Sequence, residues 1–385
     1  MPTYSLREMV EAFPATDGAI YFLRGGTNAE HVLEEPTGLD RRVLELLHRP
    51  CSRRELEDAA AGDPREHELD ELLDALDTLG LLETCDPAAA PEPDVLDPEA
   101  RARFDRQLPY FAAAGGAAGG AEAQRRLMEA TVAIVGCGAL GSWTAAGLAC
   151  AGVGRLVLVD DDTVELSNLN RQLLFRRSDV GRLKVEAAAD ALLGFDPGIE
   201  VVGFARRVRG EADVEEVAGE ADLIVATADD PPYAMERWVN AVALRRGIPH
   251  VSASQFPPYV RVGPLIRPGI TGCVNCQHVE GRRTYPDFDA LIRYRETHRR
   301  SATALGPLAA LVGSVLSADT VHLLTGLATP ATSGTAIVID SRDLSMDKER
   351  VERDPDCELC AGLEPPPPQA ERSAGPAAPG GRRAR

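Results

Sequence analysis

The sequence predicts an α/β protein: a doubly wound, Rossmann-like, mostly parallel sheet with a cysteine knuckle, preceded by a small winged-helix-like domain. Three observations predict it. A β-branched, uncharged run, Thr131–Val135, leads at once into Gly136-Cys137-Gly138-Ala139-Leu140-Gly141. Further apolar runs then alternate with helical segments. Finally, Cys273/Cys276 and Cys357/Cys360 form two CxxC pairs.

The elements follow in chain order. Ala19–Leu23 and His31–Leu33 read as short strands. Three amphipathic helices come next, the first carrying Val43, Leu44, Leu46 and Leu47 and the second Leu56. Leu69, Leu72, Leu73, Leu76 and Leu79 follow the i, i+3, i+4 spacing of the third. Gly80 stops that helix and Leu81–Leu82 returns as a strand. Strands with three short helices give a winged-helix-like domain over residues 1–85. A Pro-rich acidic linker covers 86–100. The main domain covers 101–361 and a disordered tail 362–385. Within the main domain, strands are expected at Thr131–Val135, Leu156–Val159, Ile199–Phe204, Leu223–Thr227, His250–Ala253, Val260–Ile266 and Thr335–Ile339. Helices are expected from Ser142 to about Ala151 and over Ala304–Leu324.

Charge narrows the function. The chain of 385 residues has 60 acids and 41 bases, for a net charge of −19. Residues 1–100 hold 24 acids against 8 arginines, a net −16, and the remainder is near neutral at −3. That distribution argues against a general nucleic-acid binder held by phosphate neutralisation. No apolar run is expected to reach the roughly 18–20 residues of a membrane span, and the N-terminus lacks a signal-peptide pattern. The expected location is therefore cytoplasmic. In such a setting the paired cysteines read as metal ligands. Cys273, Cys276, Cys357 and Cys360 are expected to complete a closed, structural Zn²⁺ site with no open position for catalysis.

The glycine motif between strand and helix lets the backbone turn tightly and approach phosphates. Asp160, at the tip of the next strand, is placed to accept from ribose hydroxyls. The motif alone fits a packing turn, NAD or ATP. The next segment separates them. Asp160, Asp161, Asp162, Asn168, Asn170, Arg171 and Gln172 precede Gly181-Arg182-Leu183-Lys184. A triphosphate needs such cations; a dinucleotide does not. Only two of the 41 bases are lysine, so Lys184 stands out from generic surface charge. Asp229 and Asp230 close a strand at the sheet's carboxyl edge, where adjacent carboxylates suit a hydrated Mg²⁺. An acid before Pro231-Pro232 also fits a plain helix cap. His250, His278, His298 and His322 have no ligand spacing, and there is no serine nucleophile elbow.

Taken together, residues 101–361 resemble the ThiF/MoeB/HesA family, bacterial relatives of ubiquitin-activating enzymes. The resemblance rests on Arg103-Phe104-Asp105-Arg106-Gln107, GCGALGS at 136–142, LVDDDTVELSNLNRQ at 158–172, GRLKVE at 181–186, Asp229 and the paired CxxC. It implies ATP-dependent adenylation of a carboxylate. It implies that Gly136, Gly138 and Gly141 form the phosphate loop and that Asp160 contacts ribose. Asp162, Asn168, Gln172, Arg171 and Lys184 would complete the nucleotide contacts, the last two as catalytic groups. Asp229 would position Mg²⁺, and Arg106 would enter a partner's site in a homodimer. The chain departs from the family's Thr-Asp-Asn at Ala228-Asp229-Asp230. It also has no cysteine between Cys276 and Cys357. Covalent thiol catalysis is therefore not expected, and adenylation is left as the main chemistry.

The N-terminal pattern (Val32-Leu33-Glu34, Leu44–Leu47, Leu76–Leu82) resembles a PqqD-like RiPP recognition element, which binds a leader peptide as an added β-strand. The fusion resembles microcin C-type peptide adenylyltransferases. The resemblance thus implies an enzyme that activates a carboxylate of a ribosomally made precursor peptide. Two other readings stay open: activation of a ubiquitin-like sulfur carrier, and a non-catalytic leader-binding partner of a cyclodehydratase. The acidic first quarter predicts a leader with basic flanks.

Overall fold

The computed structural model describes residues 2–7, 10–24, 29–85, 95–114, 119–298 and 303–365. The linker expected over 86–100 lies outside these for 86–94, and the expected tail for 366–385. The chain forms two compact units, residues 1–125 and 126–385.

In the first unit, β1 (Thr3–Leu6) lies between β5 (Cys51–Ser52) and β6 (Leu82–Cys85), antiparallel to both. A second antiparallel sheet takes β2 (Val10–Pro14), β3 (Ile20–Arg24) and β4 (Ala29–Leu33) in sequence order. Helices α1 (Gly38–Leu47) and α2 (Arg53–Ala60) start at capping boxes, Thr37 with Asp40 and Ser52 with Glu55. Leu39, Val43, Leu44 and Leu47 of α1 join Leu56 of α2 in the core. Leu69, Leu73 and Leu76 of α3 (Leu69–Thr78) complete it. The strands and three helices expected here are present. Leu79 departs from expectation: it caps α3 rather than continuing its face and is exposed, because Gly80 turns the chain at φ +66°. The expected linker ends early: α4 (Pro98–Arg103), capped by Asp97, begins within it, followed by α5 (Gln107–Ala113) and α6 (Gly119–Glu129). Leu96 is buried with Ala100 and Phe104.

The second unit is built on an eight-stranded sheet of β7 (Thr131–Val135), β8 (Arg155–Val159), β9 (Glu200–Phe204), β10 (Leu223–Ala226), β11 (His250–Phe256), β12 (Tyr259–Ile266), β13 (Thr335–Asp340) and β14 (Met346–Arg350). Its spatial order is β14-β13-β12-β11-β10-β7-β8-β9. The five strands from β9 to β11 run parallel, and β12 to β14 are antiparallel. The chain leaves β7 toward β8 and β9, then returns to lay β10 on β7's other side. That reversal opens a crevice at the carboxyl ends of β7 and β10, where open α/β sheets bind ligands. All five residues of β7 are buried, as their uncharged run predicts.

The helices of this unit are α7 (Ala139–Ala151), α8 (Lys184–Phe195), α9 (Glu211–Ala218), α10 (Ala234–Arg246), α11 (Val274–Thr284), α12 (Phe288–Thr297) and α13 (Gly306–Thr325). One sequence expectation needs correction. At 20 residues and a mean hydropathy of 1.5, α13 is long and apolar enough by composition to cross a membrane. In the fold it packs closely on α7: a Cβ on Gly313 would lie 2.5 Å from Trp143 Cβ, and Ser317 Oγ donates to Thr144 O at 3.2 Å. Its buried Asp319 accepts from the backbone nitrogens of Ala331 (2.9 Å) and Thr332 (2.8 Å). A long apolar helix with a satisfied buried acid is thus a core element of this unit.

Candidate functional site

The glycine turn after β7 is fixed from below. Gly136 has φ +100°, and a Cβ there would lie 2.6 Å from Ala228 N. A Cβ on Gly141 would lie 1.9 Å from Gly136 O. Both positions must therefore be glycine for the turn to close on α7 and on β10. Gly138, the N-cap of α7, differs: nothing lies within 4 Å of a Cβ built on it. That open face beside backbone N–H groups is the cradle a phosphate requires. Thr227 Oγ1 donates to Gly136 O at 2.8 Å, a clamp that sequence reasoning did not single out because threonine ends many strands.

Asp160, at the end of β8, closes the turn. Its Oδ2 accepts from Cys137 N at 2.7 Å and its Oδ1 from Asp162 N at 2.9 Å. Burial raises its pKa, opposed by the Lys184 ammonium and these backbone donors. Lys184 opens α8 and is only 5% exposed. Its Nζ lies 2.7 Å from Asp162 Oδ2 and 3.9 Å from Asp160 Oδ1. Lys184, one of only two lysines in the chain, is thus also unusually buried for its type.

Residues 166–175 are bound to α7 by two contacts the sequence did not reveal. Leu173 N donates to Ser142 Oγ at 3.1 Å, and Trp143 Nε1 donates to Arg171 O at 3.1 Å. Asn168 is buried, its Oδ1 accepting from Glu165 N at 3.0 Å. Arg171 folds back on its own turn, donating to Ser167 O (2.6 Å) and Asn170 Oδ1 (3.1 Å). Gln172 is buried and its Oε1 has no partner among the described residues. Gly136, Gly138, Gly141, Asp160, Asp162, Asn168, Arg171, Gln172 and Lys184 thus gather around one turn and the two segments bound to it.

The acidic pair after β10 does not act as a pair. Asp230 turns away to an ion pair with Arg207, while Asp229 is exposed at the strand end. The side chain of Arg106 belongs to the first unit, just ahead of α5, and is 95% exposed with Asp105 3.6 Å away.

The cysteine knuckle closes as expected. The four Sγ atoms lie within 4.8 Å of one another. Separations are 3.8 Å for Cys273–Cys276, 3.7 Å for Cys273–Cys357 and 3.4 Å for Cys276–Cys360. A tetrahedron with Zn–S near 2.3 Å needs about 3.8 Å. All four residues are buried, and burial pushes the Cys273 thiol up to about 12, so thiolates here need a cation. Asn275 Nδ2 and Asp354 N each lie 3.4 Å from a sulfur, that of Cys357 and of Cys276, as donors to ligated thiolates do. The donor set fits a structural Zn²⁺.

The ThiF family model matches residues 104–359. The sulfur carrier protein ThiS adenylyltransferase of Escherichia coli K12 is 31% identical over 241 residues, 63% of this chain and 90% of that protein. The molybdopterin-synthase adenylyltransferase of the same organism is 31% identical over 240 residues, 62% of this chain and 90% of that protein. Among solved structures, E. coli MccB with ATP covers 94% of this chain and 100% of its own, with a TM-score of 0.73 and 26% identity. The microcin C7 biosynthetic enzyme MccB in complex with N-formylated MccA gives a TM-score of 0.74 at 26% identity over the same shares.

Proposed function

The chain belongs to the ThiF family and is a ThiF-type adenylyltransferase, and from that premise we propose that it adenylates a carboxylate of a ribosomally made precursor peptide. One observation carries the choice of substrate. Likeness to MccB extends over 94% of the chain, whereas the curated sulfur-carrier relative matches 63% of it. The sulfur-carrier relative is matched over 90% of its own length and the family model spans 104–359, so the added likeness to MccB takes in the N-terminal region. In this reading residues 1–85 hold the leader and 101–361 form the adenylating domain. Docking raises the local concentration of the reacting end at the nucleotide site. The net −16 of the first hundred residues favours a leader with basic flanks, captured faster at low salt.

ATP would lie with its phosphates over Gly138 and its ribose at Asp160. A peptide carboxylate oxygen bonds to the α-phosphorus as the bond from that phosphorus to the pyrophosphate oxygen breaks. Arg171, Lys184 and the Arg106 of a second copy offset charge on the departing pyrophosphate. Asp229 would hold Mg²⁺ there.

The test is ATP–pyrophosphate exchange by the full chain with a candidate precursor peptide whose leader carries basic flanks. Exchange that requires the peptide, and rises at low salt, is expected. Sulfur-carrier activation is the second reading, favoured by the 31% identity to the ThiS enzyme. Exchange with a Gly-Gly-ended carrier and none with the peptide would establish it. Failure to bind nucleotide would leave a non-catalytic leader-binding partner.

A further inference from the structure

Gln255 lies near the end of β11, at the carboxyl edge of the parallel strands. The β10–β11 ladder ends at Ala226 opposite Ser252, and Gln255 lies three residues beyond that pair on β11. Its amide orientation is fixed: Leu305 N, which can only donate, meets Oε1 at 3.2 Å. Nε2 therefore points the other way, enclosed and without a partner among the described residues. A buried donor left unpaired destabilises the fold with no return inside the protein.

The surroundings suggest its purpose. Leu305 is the N-cap of α13, and the next residue, Gly306, packs so tightly that a Cβ on it would lie 2.6 Å from Asn170 O. Gln255 thus links the end of β11 to the N-terminus of α13, which packs on the segment that carries Arg171. The nucleotide residues occupy the other side of the crevice, with Asp160 after β8 and the glycine turn after β7. The edge past β10 is left for the carboxylate that reacts. Beside it, at the β11–β12 turn, Phe256 and Tyr259 form a half-exposed aromatic pair with ring centroids 6.0 Å apart.

We infer that Gln255 Nε2 donates a hydrogen bond to the acyl oxygen of the acceptor and holds it in line with the α-phosphate. Gln255 is a positioning residue, and the inference rests on the adenylation reading above. Thr303 and Leu305, on the segment that meets the amide through Leu305 N, are exposed. No bond to the nucleotide itself is required of Gln255.

Two probes isolate the contact without knowledge of the peptide: the sulfamate ester of adenosine, and its N-(acetylglycyl) derivative, which adds the acyl oxygen. Binding to the full chain is measured by calorimetry. The wild type is expected to bind the acylated probe about tenfold more tightly, the value of one hydrogen bond to a buried donor. Gln255→Glu keeps an oxygen for Leu305 N but presents no amide donor, and should erase the preference while binding the simple sulfamate as before. Gln255→Leu should erase it equally. A preference that survives both substitutions overturns the inference, as does an equal loss for both probes, which marks a purely structural glutamine. Failure of the wild type to bind either probe overturns the adenylation reading as well.

Discussion

Lys184 Nζ lies 2.7 Å from Asp162 Oδ2, and this pair buries the only lysine of the nucleotide-binding half of the sheet. The ammonium is 5% exposed, and its second carboxylate neighbour, Asp160, is itself largely buried. Lys184→Met would leave Asp160 without its opposing charge. We expect a loss of about 1.5–3 kcal/mol in urea unfolding and a drop of about 100-fold or more in ATP–pyrophosphate exchange. Lys184→Arg should not restore exchange, because a planar fork does not replace a point charge in this space. Full exchange by Lys184→Met would remove the lysine from the reaction.

The three glycines of the turn should separate under substitution. Gly141→Ala drives a Cβ against Gly136 O, so thermal unfolding should show a loss of about 1–3 kcal/mol. Gly138→Ala meets open space and should melt like the wild type. Its methyl would stand where phosphate is expected, so nucleotide binding by calorimetry should weaken. A Gly138→Ala protein that binds ATP normally would place the phosphates elsewhere.

Asp229 and Asp230 should behave differently despite being adjacent. Asp230 has Arg207 as a partner, so Asp230→Asn should shift stability by no more than about 1 kcal/mol and keep exchange. Asp229→Asn should raise the Mg²⁺ concentration needed for exchange. Equal effects of the two substitutions on a Mg²⁺ titration would contradict the role given to Asp229.

Metal analysis should find one zinc per chain. Cys360→Ser should lose it and lower the melting temperature, since a three-thiolate set leaves the residues around Cys357 unpinned. Cys137→Ser, whose sulfur lies in the glycine turn, should retain the zinc. Full zinc content in Cys360→Ser would exclude the four-cysteine site.

His250 predicts a pH dependence. Burial holds it down to about 3, its Nε2 lying 3.3 Å from Asn240 Oδ1, which also accepts from Val274 N. The folded histidine is neutral, while the unfolded chain takes up a proton below about 6.5. Its contribution is therefore complete above that pH and drains as pH falls toward 3. Between pH 7 and pH 5 the loss should be about 2 kcal/mol. His250→Gln, which still donates to Asn240, should flatten that slope in urea unfolding; an unchanged slope would assign it to other groups.

Much of the fold could be read directly from residue patterns. The run Thr131–Val135, the Gly136–Gly141 spacing and the Leu-rich helices are local signals, because burial of one strand or one helix face is written in consecutive residues. The paired CxxC was equally plain, since ligand spacing within each pair is set by a single turn. Strands β1, β2 and β14 escaped notice. All five residues of β14 are exposed, so no alternation of apolar residues marks them. Composition also made α13 look unlike a membrane span when its length and hydropathy fit one; Gly313, Ser317 and Asp319 make it a core helix only through what they meet.

The sequence by itself determined which residue types are present for the chemistry: the glycine turn, the cations after β8 and the four thiols. Only the tertiary structure decided how they are used. Thr227 clamps the glycine turn, Lys184 is buried against two acids, and Asp230 turns to Arg207, leaving Asp229 alone at the strand end. Gln255 is left with a donor that no atom among the described residues accepts. The first three contacts join residues 22 to 91 positions apart. A spacing rule registers neighbours along one element, but desolvation and hydrogen-bond satisfaction are settled by groups that meet only when the sheet has assembled.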